Sequence, residues 1–324
     1  MSIGLDLGTT QFRSLRLADD ELIGRQCRTV YLALSDTASH RRLLEQSGAT
    51  YASCGNDLVL FGGLALEWAD ILNLTAVPLL PGGRVPQSDP VARQILTLMI
   101  DAVLPTAQRQ GDVCCLTVPG GHDIHQNDLP YDVRLFQQLV ALRGYQPKLI
   151  SPGHAIVLAE LSMASFSGIG ISFGSGNCQI GVIHCGRELA SCSFNEYLSE
   201  QFEDHFESSG LNAEQETNPA ARKLRAARDQ LLARDLTETL TAARDELEKQ
   251  GVARWLVQPT HVVCTGRPTT EPGFAQLLGQ VWSSLEWPMQ VGQLRVTTDA
   301  IYSIARGCLI QSRLENRDDM LRAA

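Results

Sequence analysis

The sequence predicts an α/β protein built from two similar lobes, and three observations support this prediction. A unit of strand, glycine-rich turn and strand occurs twice, as GLDLGTTQFRSLRLADDELIGRQC from Gly4 and as GISFGSGNCQIGVIHCGRELASCS from Gly170. The two copies lie about 166 residues apart in a chain of 324, and a repeat of half the chain length indicates two similar domains. Between residues 89 and 164, strand and helix patterns alternate, which is typical of α/β proteins.

The individual elements follow from local patterns. Apolar residues alternate from Ile3 to Leu7, and glycine-rich or acidic turns at residues 8–10 and 18–20 divide the first 34 residues into three strands. The turn Gly55-Asn56-Asp57 before LVLFG predicts another hairpin. The remaining predictions are helices over 89–104, 136–143 and 154–164, and strands within DVCCLTVPGG (112–121) and PKLIS (147–151).

Composition and charge exclude several classes of protein. With 44% hydrophobic residues the chain can fill two cores, and a net charge of −9 argues against nucleic-acid binding, which requires concentrated Lys and Arg. No apolar stretch reaches the roughly 20 residues that span a bilayer, and no leader peptide is recognisable. Nine cysteines without a Cys-x-x-Cys pair indicate reduced thiols. We therefore expect a cytoplasmic protein with no membrane span.

The two glycine-rich turns are predicted to bind phosphate. A turn of Gly, Thr and Ser can direct successive backbone N–H groups into one concavity, which binds an anion without a Lys. Two such turns on opposite walls of a cleft would hold a polyphosphate, and Asp6 would lie near the metal ion that neutralises it. The predicted phosphate-binding residues are Gly8, Thr9, Thr10 and Gln11 in the first turn and Gly174, Ser175, Gly176 and Asn177 in the second.

A third element predicts a nucleoside site. HVVCTGRPTTEPGFAQLL, residues 261–278, reads as an apolar strand that ends in a Thr-Gly-Arg-Pro turn, followed by a loop and a helix. Such a strand-to-helix turn can receive a nucleoside against its backbone and the side chain of Arg267. The predicted contacts of this turn are Gly266, Arg267 and Pro268.

These motifs resemble those of the actin, heat-shock chaperone and sugar kinase superfamily. GLDLGTT is similar to its first phosphate motif, nearly in the DnaK version, and GISFGSGNCQIGVI is similar to the second. CCLTVPGG resembles the strand ending in Val-Pro, VVCTGRP the adenosine motif, and TTDAIYSIARGCLIQ the closing helix. NPAARKLRAARDQLLARDL resembles the helix that carries ribose and adenine contacts in DnaK-type chaperones, with Asp229 where they carry Glu. The resemblance covers almost the whole chain.

The resemblance implies two ribonuclease H-like lobes of the actin and DnaK ATPase-domain type around a central nucleotide cleft, with ATP or ADP and Mg²⁺ as ligands. The first lobe is expected over residues 1–165, with a small insertion near 30–85. The second lobe is expected over 166–324, with a helical subdomain near 200–257 and the adenosine motif.

The departures from the family pattern lie at catalytic positions. DnaK carries Asp where this chain has Ser172, and ISPGH (150–154) lacks the Glu that positions the attacking water in DnaK and in the bacterial actin MreB. Such losses commonly cost about 10² to 10³ in rate. His154 is the one nearby candidate for a replacement base. Leu232 and Ala233 stand where chaperones carry cationic residues, which leaves the base specificity open.

Two functions remain open on these grounds. In the first, the chain is an ATP-binding protein similar to MreB or to a DnaK-type chaperone, with slow or absent hydrolysis, acting through nucleotide-dependent conformation or assembly. In the second, it is a non-enzymatic scaffold or partner-binding protein whose nucleotide cleft is empty or structural. A sugar kinase is less well supported, because Asp123 is the one acid near the end of the Val-Pro strand. A metal site in the loop of His122, Asp123 and His125 is a further, weaker alternative.

Overall fold

The computed structural model describes residues 2–120, 129–175, 177–195, 219–256 and 258–323. These residues form two compact units. The first unit contains the described residues up to 149 together with 308–323, and the second contains the described residues from 150 to 307. The loop of His122, Asp123 and His125 lies outside the described residues.

A five-stranded sheet forms the centre of the first unit. Its strands are β1 (Ile3–Leu7), β2 (Gln11–Ala18), β3 (Glu21–Arg28), β8 (Asp112–Thr117) and β9 (Tyr145–Leu149). The order in space is β3-β2-β1-β8-β9, with β1 antiparallel to β2 and parallel to β8. Both β1 and β8 are buried along their whole length, as expected for central parallel strands.

Helices α3 (Pro90–Val103) and α4 (Tyr131–Leu142) contribute to the core of this unit. Asp89 caps α3, because its carboxylate accepts the N–H groups of Val91 and Ala92, and Pro90 is the first helical residue. Phe12 of β2 and Phe136 of α4 meet edge to face with ring centroids 6.2 Å apart. The core therefore joins the hairpin of the first glycine-rich turn to the helices beneath it.

A small four-stranded sheet lies in the segment where the sequence predicts an insertion. Its strands are β4 (Val30–Ser35), β5 (Ala52–Cys54), β6 (Asp57–Phe61) and β7 (Val77–Pro78), in the order β5-β6-β4-β7. Helices α1 (Ala38–Ser47) and α2 (Gly63–Leu72) accompany it and share a separate apolar core.

The second unit repeats the topology of the first. Strands β10 (Gly168–Phe173), β11 (Asn177–His184), β12 (Arg187–Asn195), β13 (Thr260–Gly266) and β14 (Val291–Val296) form a sheet in the order β12-β11-β10-β13-β14. As in the first sheet, the first strand is antiparallel to the second and parallel to the fourth. The helices are α5 (Pro152–Glu160), α6 (Pro219–Lys249) and α7 (Phe274–Ser284). The repeat inferred from the sequence is present in the backbone.

Helix α5 belongs to the second unit by its packing. Gly153 lies directly on the sheet, because a Cβ at this position would meet the backbone N of Gly181 at 2.3 Å and the carbonyl O of Gly170 at 2.8 Å. The predicted lobe boundary at 165/166 therefore differs from the division between compact units, which falls at Leu149/Ile150.

The last helix, α8 (Ser303–Ala323), begins in the second unit and continues in the first. Its Gly307 packs on the carbonyl O of Ala155, where a Cβ would approach to 1.8 Å. Further along, Glu315 pairs with Lys148 of β9 at 3.8 Å. Among the residues that the structure describes, no helix combines the length and apolarity needed to cross a bilayer.

Candidate functional site

The first glycine-rich turn is held in shape by its own backbone and by Thr29. The N–H of Gly8 donates to the carbonyl O of Gln11 at 3.1 Å, which closes the turn. Thr29 donates its N–H to the carbonyl of Thr10 at 3.1 Å and its hydroxyl to the carbonyl of Thr9. In a trans peptide the N–H points away from the carbonyl, so the N–H groups of Thr10 and Gln11 point away from Thr29. This geometry suits an anion at the outer side of the turn.

The second glycine-rich turn has the same closure. The N–H of Gly174 donates to the carbonyl O of Asn177 at 2.8 Å. Leu7 pairs with Phe12 across the first turn and Phe173 pairs with Cys178 across the second, so the two turns have equal length. Ser175 lies within this turn, and Gly176 lies outside the described residues.

Both turns start with a glycine, and backbone atoms limit the space for a side chain at Gly8, whereas a side-chain atom limits it at Gly174. A Cβ on Gly8 would lie 2.9 Å from the carbonyl O of Gln11, and a Cβ on Gly174 would lie 2.4 Å from the Oδ1 of Asn177. Each side chain would therefore crowd the residue that closes its turn. The two glycines occupy equivalent positions in the two units.

A further backbone segment at Gly83 lies between the first turn and Gly120 of the CCLTVPGG motif, and the sequence reasoning missed this contact. A Cβ on Gly83 would lie 3.2 Å from the Oγ1 of Thr9 and 3.2 Å from the backbone N of Gly120. Both glycines have positive φ, 74° for Gly83 and 89° for Gly120. The signal in the sequence is the tripeptide Pro-Gly-Gly, which occurs at 81–83 and again at 119–121.

Asp6 lies at the end of β1, directly before the first turn, and is only 6% exposed. Its Oδ1 accepts the hydroxyl of Thr117 at 2.9 Å, and its Oδ2 lies 3.4 Å from the Nη1 of Arg13. Burial raises the pKa of the Asp6 carboxyl, while Arg13 and Thr117 act in the opposite direction. Sequence reasoning missed Arg13, although the register of the hairpin places it opposite Asp6.

The equivalent of Asp6 in the second unit is Ser172. It is buried and pairs in register with Gln179 on one side and with Thr265 on the other. The hydroxyl of Thr265 is bonded to that of Thr297 at 3.0 Å. Hydroxyl groups and an amide thus occupy the place where the first unit has an acid and a guanidinium.

His154, the candidate base, is held away from the second turn. Its Nε2 lies 3.0 Å from the carbonyl O of Gly186, and its Nδ1 lies 3.6 Å from Oε2 of Glu188. Gly186 is in the turn after β11, whereas Asn177 begins that strand, and eight extended residues span about 26 Å. The structure therefore does not bring the His154 ring to the second glycine-rich turn.

Ser151, in the segment that lacks the Glu of DnaK and MreB, caps α5. Its hydroxyl accepts the N–H of His154 at 3.1 Å. This side chain is therefore engaged by the helix that follows it.

The adenosine-like turn lies beside the second glycine-rich turn. Gly266 pairs with Phe173, the residue before Gly174, and a Cβ on Gly266 would lie 1.9 Å from the carbonyl O of Phe173. Arg267 and Pro268 begin the 3₁₀ turn that follows. The structure thus brings these sequence-predicted residues next to the second hairpin.

A groove between α6 and the start of α7 contains Asp229. Its volume is about 340 Å³, which is within the usual range for small-ligand sites. Arg225 and Arg228 of α6 and Gln276 and Gln280 of α7 also line it, and sequence reasoning had not selected them. Glu271, which directly follows the 3₁₀ turn that contains Arg267, lines the same groove as Asp229, whereas Gly266, Arg267 and Pro268 do not line it.

Comparison with solved structures agrees with this architecture. MreB 5 of Spiroplasma citri bound to AMPPNP matches with a TM-score of 0.62 at 11% identity, over 98% of this chain and 97% of that chain. The MamK double helical filament matches with a TM-score of 0.59 at 13% identity, over 97% and 98%. A non-polymerising mutant of MamK bound to AMPPNP matches with a TM-score of 0.54 at 13% identity, over 96% and 98%. The chain therefore has the fold of the actin and heat-shock chaperone superfamily, as the resemblance implied.

Sequence comparisons identify the family more narrowly. The comparison with curated protein sequences gave no match. The Volactin family matches residues 1–312, which is almost the entire length. The chain belongs to the Volactin family.

Proposed function

We propose that this chain is an actin-like protein that binds ATP or ADP and assembles into homo-oligomers under the control of the bound nucleotide. The observation that carries the proposal is the pair of equivalent glycine turns. Both turns follow a buried strand, both close with a Gly N–H to carbonyl bond, and the first directs N–H groups away from Thr29. Two anion-binding turns on repeated sheets suit a ligand with several phosphates.

The nucleoside part of the ligand is assigned to the second unit. The groove beside Asp229 adjoins the turn of Gly266, Arg267 and Pro268, and Gly266 packs on the strand that leads into the second glycine turn. A nucleoside in the groove would thus lie on the same unit as one of the phosphate-binding turns.

Assembly and location are inferred from the structural neighbours. One similar structure is described as a double helical filament, and two similar structures are described as bound to AMPPNP. We extend both properties to this chain and propose further copies of the chain as its partner. The net charge of −9 argues against nucleic acid as a partner. We place the protein in the cytoplasm.

Hydrolysis is proposed to be slow or absent. DnaK carries an acid where this chain has the buried Ser172, and the segment of Ser151, which caps α5, lacks the Glu of DnaK and MreB. The His154 ring is bound at the other end of β11. Losing a group that orients water or metal costs about 10² to 10³ in rate, and two such losses need not add.

The same replacements favour a second candidate, a non-enzymatic scaffold whose nucleotide site is empty or holds nucleotide only as a structural element, and whose surface serves a protein partner. The two candidates differ in their response to nucleotide. A ligand at 100 times its Kd stabilises a protein by about 2.7 kcal/mol.

Thermal unfolding with ATP, with ADP and without nucleotide separates the candidates. We expect a clear rise in Tm with millimolar nucleotide, and sedimentation of assembled protein that depends on which nucleotide is present. No rise in Tm with either nucleotide, in the presence or absence of Mg²⁺, would reject nucleotide binding and favour the scaffold. Phosphate release then measures any remaining hydrolysis.

A further inference from the structure

Strand β3 forms an open edge of the first sheet. It lies at the end of the strand order, and β2 is its one partner among the strands that the structure describes. Six of its eight residues are exposed, whereas its counterpart in the second unit, β12, has two exposed residues among the eight described up to Phe194. The other edge strand of the first sheet, β9, contains Pro147, which has no N–H to offer a further strand. The outer side of β3 is therefore the edge at which this sheet can be extended.

Alternate residues of β3 direct their backbone groups to this edge. Thr29, directly after β3, donates its N–H to the carbonyl O of Thr10, on the side of β2. Successive residues of a strand point their N–H and C=O groups to opposite sides, so those of Leu22, Gly24 and Gln26 point away from β2. Such a row of donors and acceptors is a template for another strand.

The charges along β3 are separated into an acidic and a basic end. Asp20 and Glu21 lie at its start, Arg25 and Arg28 lie towards its end, and all four are exposed. Within the part of the chain that the structure describes, none of the four forms an ion pair. Two copies of the strand that run antiparallel place the acidic end of each beside the basic end of the other, and cross-strand pairs of opposite charge are stabilising. Copies that run parallel in register would instead oppose like charges.

We propose that β3 pairs with β3 of a second copy of this chain, antiparallel and about a two-fold axis at Gly24. The middle of the strand falls between Gly24 and Arg25. An axis at Arg25 would place the two Arg25 residues opposite each other. An axis at Gly24 avoids this and brings each Glu21 diagonal to Arg25 of the second copy, while the glycine lets the two backbones approach closely.

This pairing goes beyond the proposed nucleotide-controlled assembly, because it requires no nucleotide. A two-fold contact of identical surfaces joins two copies and then closes. It therefore makes dimers of single chains, and it can link two rows of assembled chains. Because two paired strands bury less surface than a standard interface, we expect a Kd in the micromolar range.

Sedimentation velocity of the nucleotide-free protein at rising concentration tests the role of the charges. We expect a monomer–dimer equilibrium in the wild type. Glu21→Lys should raise the dimer Kd by about 5- to 30-fold, because two attractive cross-strand pairs become repulsive. The double variant Glu21→Lys with Arg25→Glu should restore the Kd to within about threefold of the wild type. Glu67→Lys, the same charge change at an exposed position of α2, is the control and should not alter the dimer.

Oxidative cross-linking tests the register. In Gly24→Cys the two new thiols lie on the axis, where the Cα atoms of a hydrogen-bonded pair are about 5.5 Å apart, within the range of a disulfide. In Leu22→Cys, the matched control on the same strand, the Cα atoms would lie about 14 Å apart. We expect a covalent dimer of Gly24→Cys under mild oxidation and little of it for Leu22→Cys. The wild type, which keeps the exposed Cys185, measures the background.

Three results would overturn the pairing. The first is a nucleotide-free protein that stays monomeric up to about 1 mM. The second is a dimer that Glu21→Lys leaves unchanged, and the third is equal cross-linking of Gly24→Cys and Leu22→Cys. None of these results would bear on nucleotide binding, which thermal unfolding measures separately.

Discussion

Thr29 sets the direction of the peptide groups in the first glycine turn. It is buried, and it binds the carbonyl groups of Thr9 and Thr10 through its hydroxyl and its N–H. The turn therefore presents N–H groups to a ligand only while Thr29 keeps the carbonyl groups on the other side. This function of Thr29 could not be read from the sequence, because Thr29 lies 20 residues after Thr9.

Replacing Thr29 by Val removes the hydroxyl and keeps the shape of the side chain. We expect the free energy of unfolding to fall by about 1 to 3 kcal/mol, since a buried carbonyl loses its donor. The affinity for nucleotide should fall by about tenfold. Denaturant unfolding and calorimetry measure the two effects. Thr97→Val, at a half-buried site where the hydroxyl bonds only to its own helix, is the control and should change neither.

Ser172 marks the place where the repeat lost a charged group. In Ser172→Asp, a new carboxylate would be buried between Gln179 and Thr265 without a cation. We expect the free energy of unfolding of the ligand-free protein to fall by about 2 kcal/mol or more, because an unpaired buried charge is costly.

Mg²⁺ with ATP should recover part of that loss, and phosphate release should then rise by about tenfold or more. Ser172→Asn supplies the size without the charge and should show neither recovery nor faster release. Identical results for the two variants would contradict the role assigned to the missing acid.

At the scale of elements, α5 is positioned by glycine contacts with the second sheet. Gly153 packs on Gly170 and Gly181 with backbone atoms in direct contact. Gly153→Ala must push the helix from the sheet, and we expect it to lower the free energy of unfolding by about 2 to 4 kcal/mol.

Gly279→Ala is the control for this variant. Gly279 lies inside α7, and a Cβ there meets nothing within 4 Å. This change should raise the free energy of unfolding by about 0.5 to 1 kcal/mol, since Ala is the better helix former. Urea unfolding measures both variants. A stable Gly153→Ala would show that α5 does not depend on this contact.

Glu160, the last residue of α5, connects three elements. Its carboxylate binds Arg295 of β14 at 2.9 Å, Ser303 at 2.9 Å and Arg306 of α8, and its side chain is 4% exposed. Glu160→Gln should lower the free energy of unfolding by about 2 kcal/mol, because two guanidinium groups lose their counter-charge.

The matched control is Glu238→Gln, which breaks an exposed pair with Arg234 one helical turn away. Exposed pairs of this kind contribute about 0.3 to 0.5 kcal/mol. If both changes produced equally small shifts of the urea midpoint, the ion pairs of Glu160 would not stabilise the packing of α8.

The sequence was sufficient for the elements that repeat and insufficient for those that depend on distant contacts. The match between the copies from Gly4 and Gly170 predicted two hairpins, and the structure shows both within sheets of the same order. Alternation along β2 would also have placed Arg13 beside Asp6. The contact of α5 with the second sheet and the partners of Glu160 have no local signal, because they join residues up to 146 positions apart.

At the scale of the whole molecule, the proposed nucleotide binding uses two equivalent turns in two units of the same topology. Each unit has its own apolar core and its own five-stranded sheet, and the two glycine turns follow the corresponding strands β1 and β10. A shared fold does not by itself establish a shared function, so the proposed function must be tested at these two turns.

Assembly is the prediction that belongs to this scale. With nucleotide bound, we expect the protein to assemble above a critical protein concentration, so that the assembled fraction sediments in high-speed centrifugation. Gly8→Ala, which crowds the carbonyl that closes the first turn, should weaken nucleotide binding and raise that concentration by about tenfold. If assembly were the same with and without nucleotide, assembly would not be controlled by nucleotide binding, which would contradict this prediction.

Hydrogen exchange at the two glycine turns is the decisive measurement for phosphate binding by this chain. On adding millimolar AMPPNP we expect amide exchange to slow by about tenfold or more in peptides that contain Gly8–Gln11 and Gly174–Asn177. The hairpin turn at Gly55–Asp57 serves as the internal reference and should not change. Unchanged exchange at both glycine turns would contradict the assignment of these turns as the phosphate-binding site.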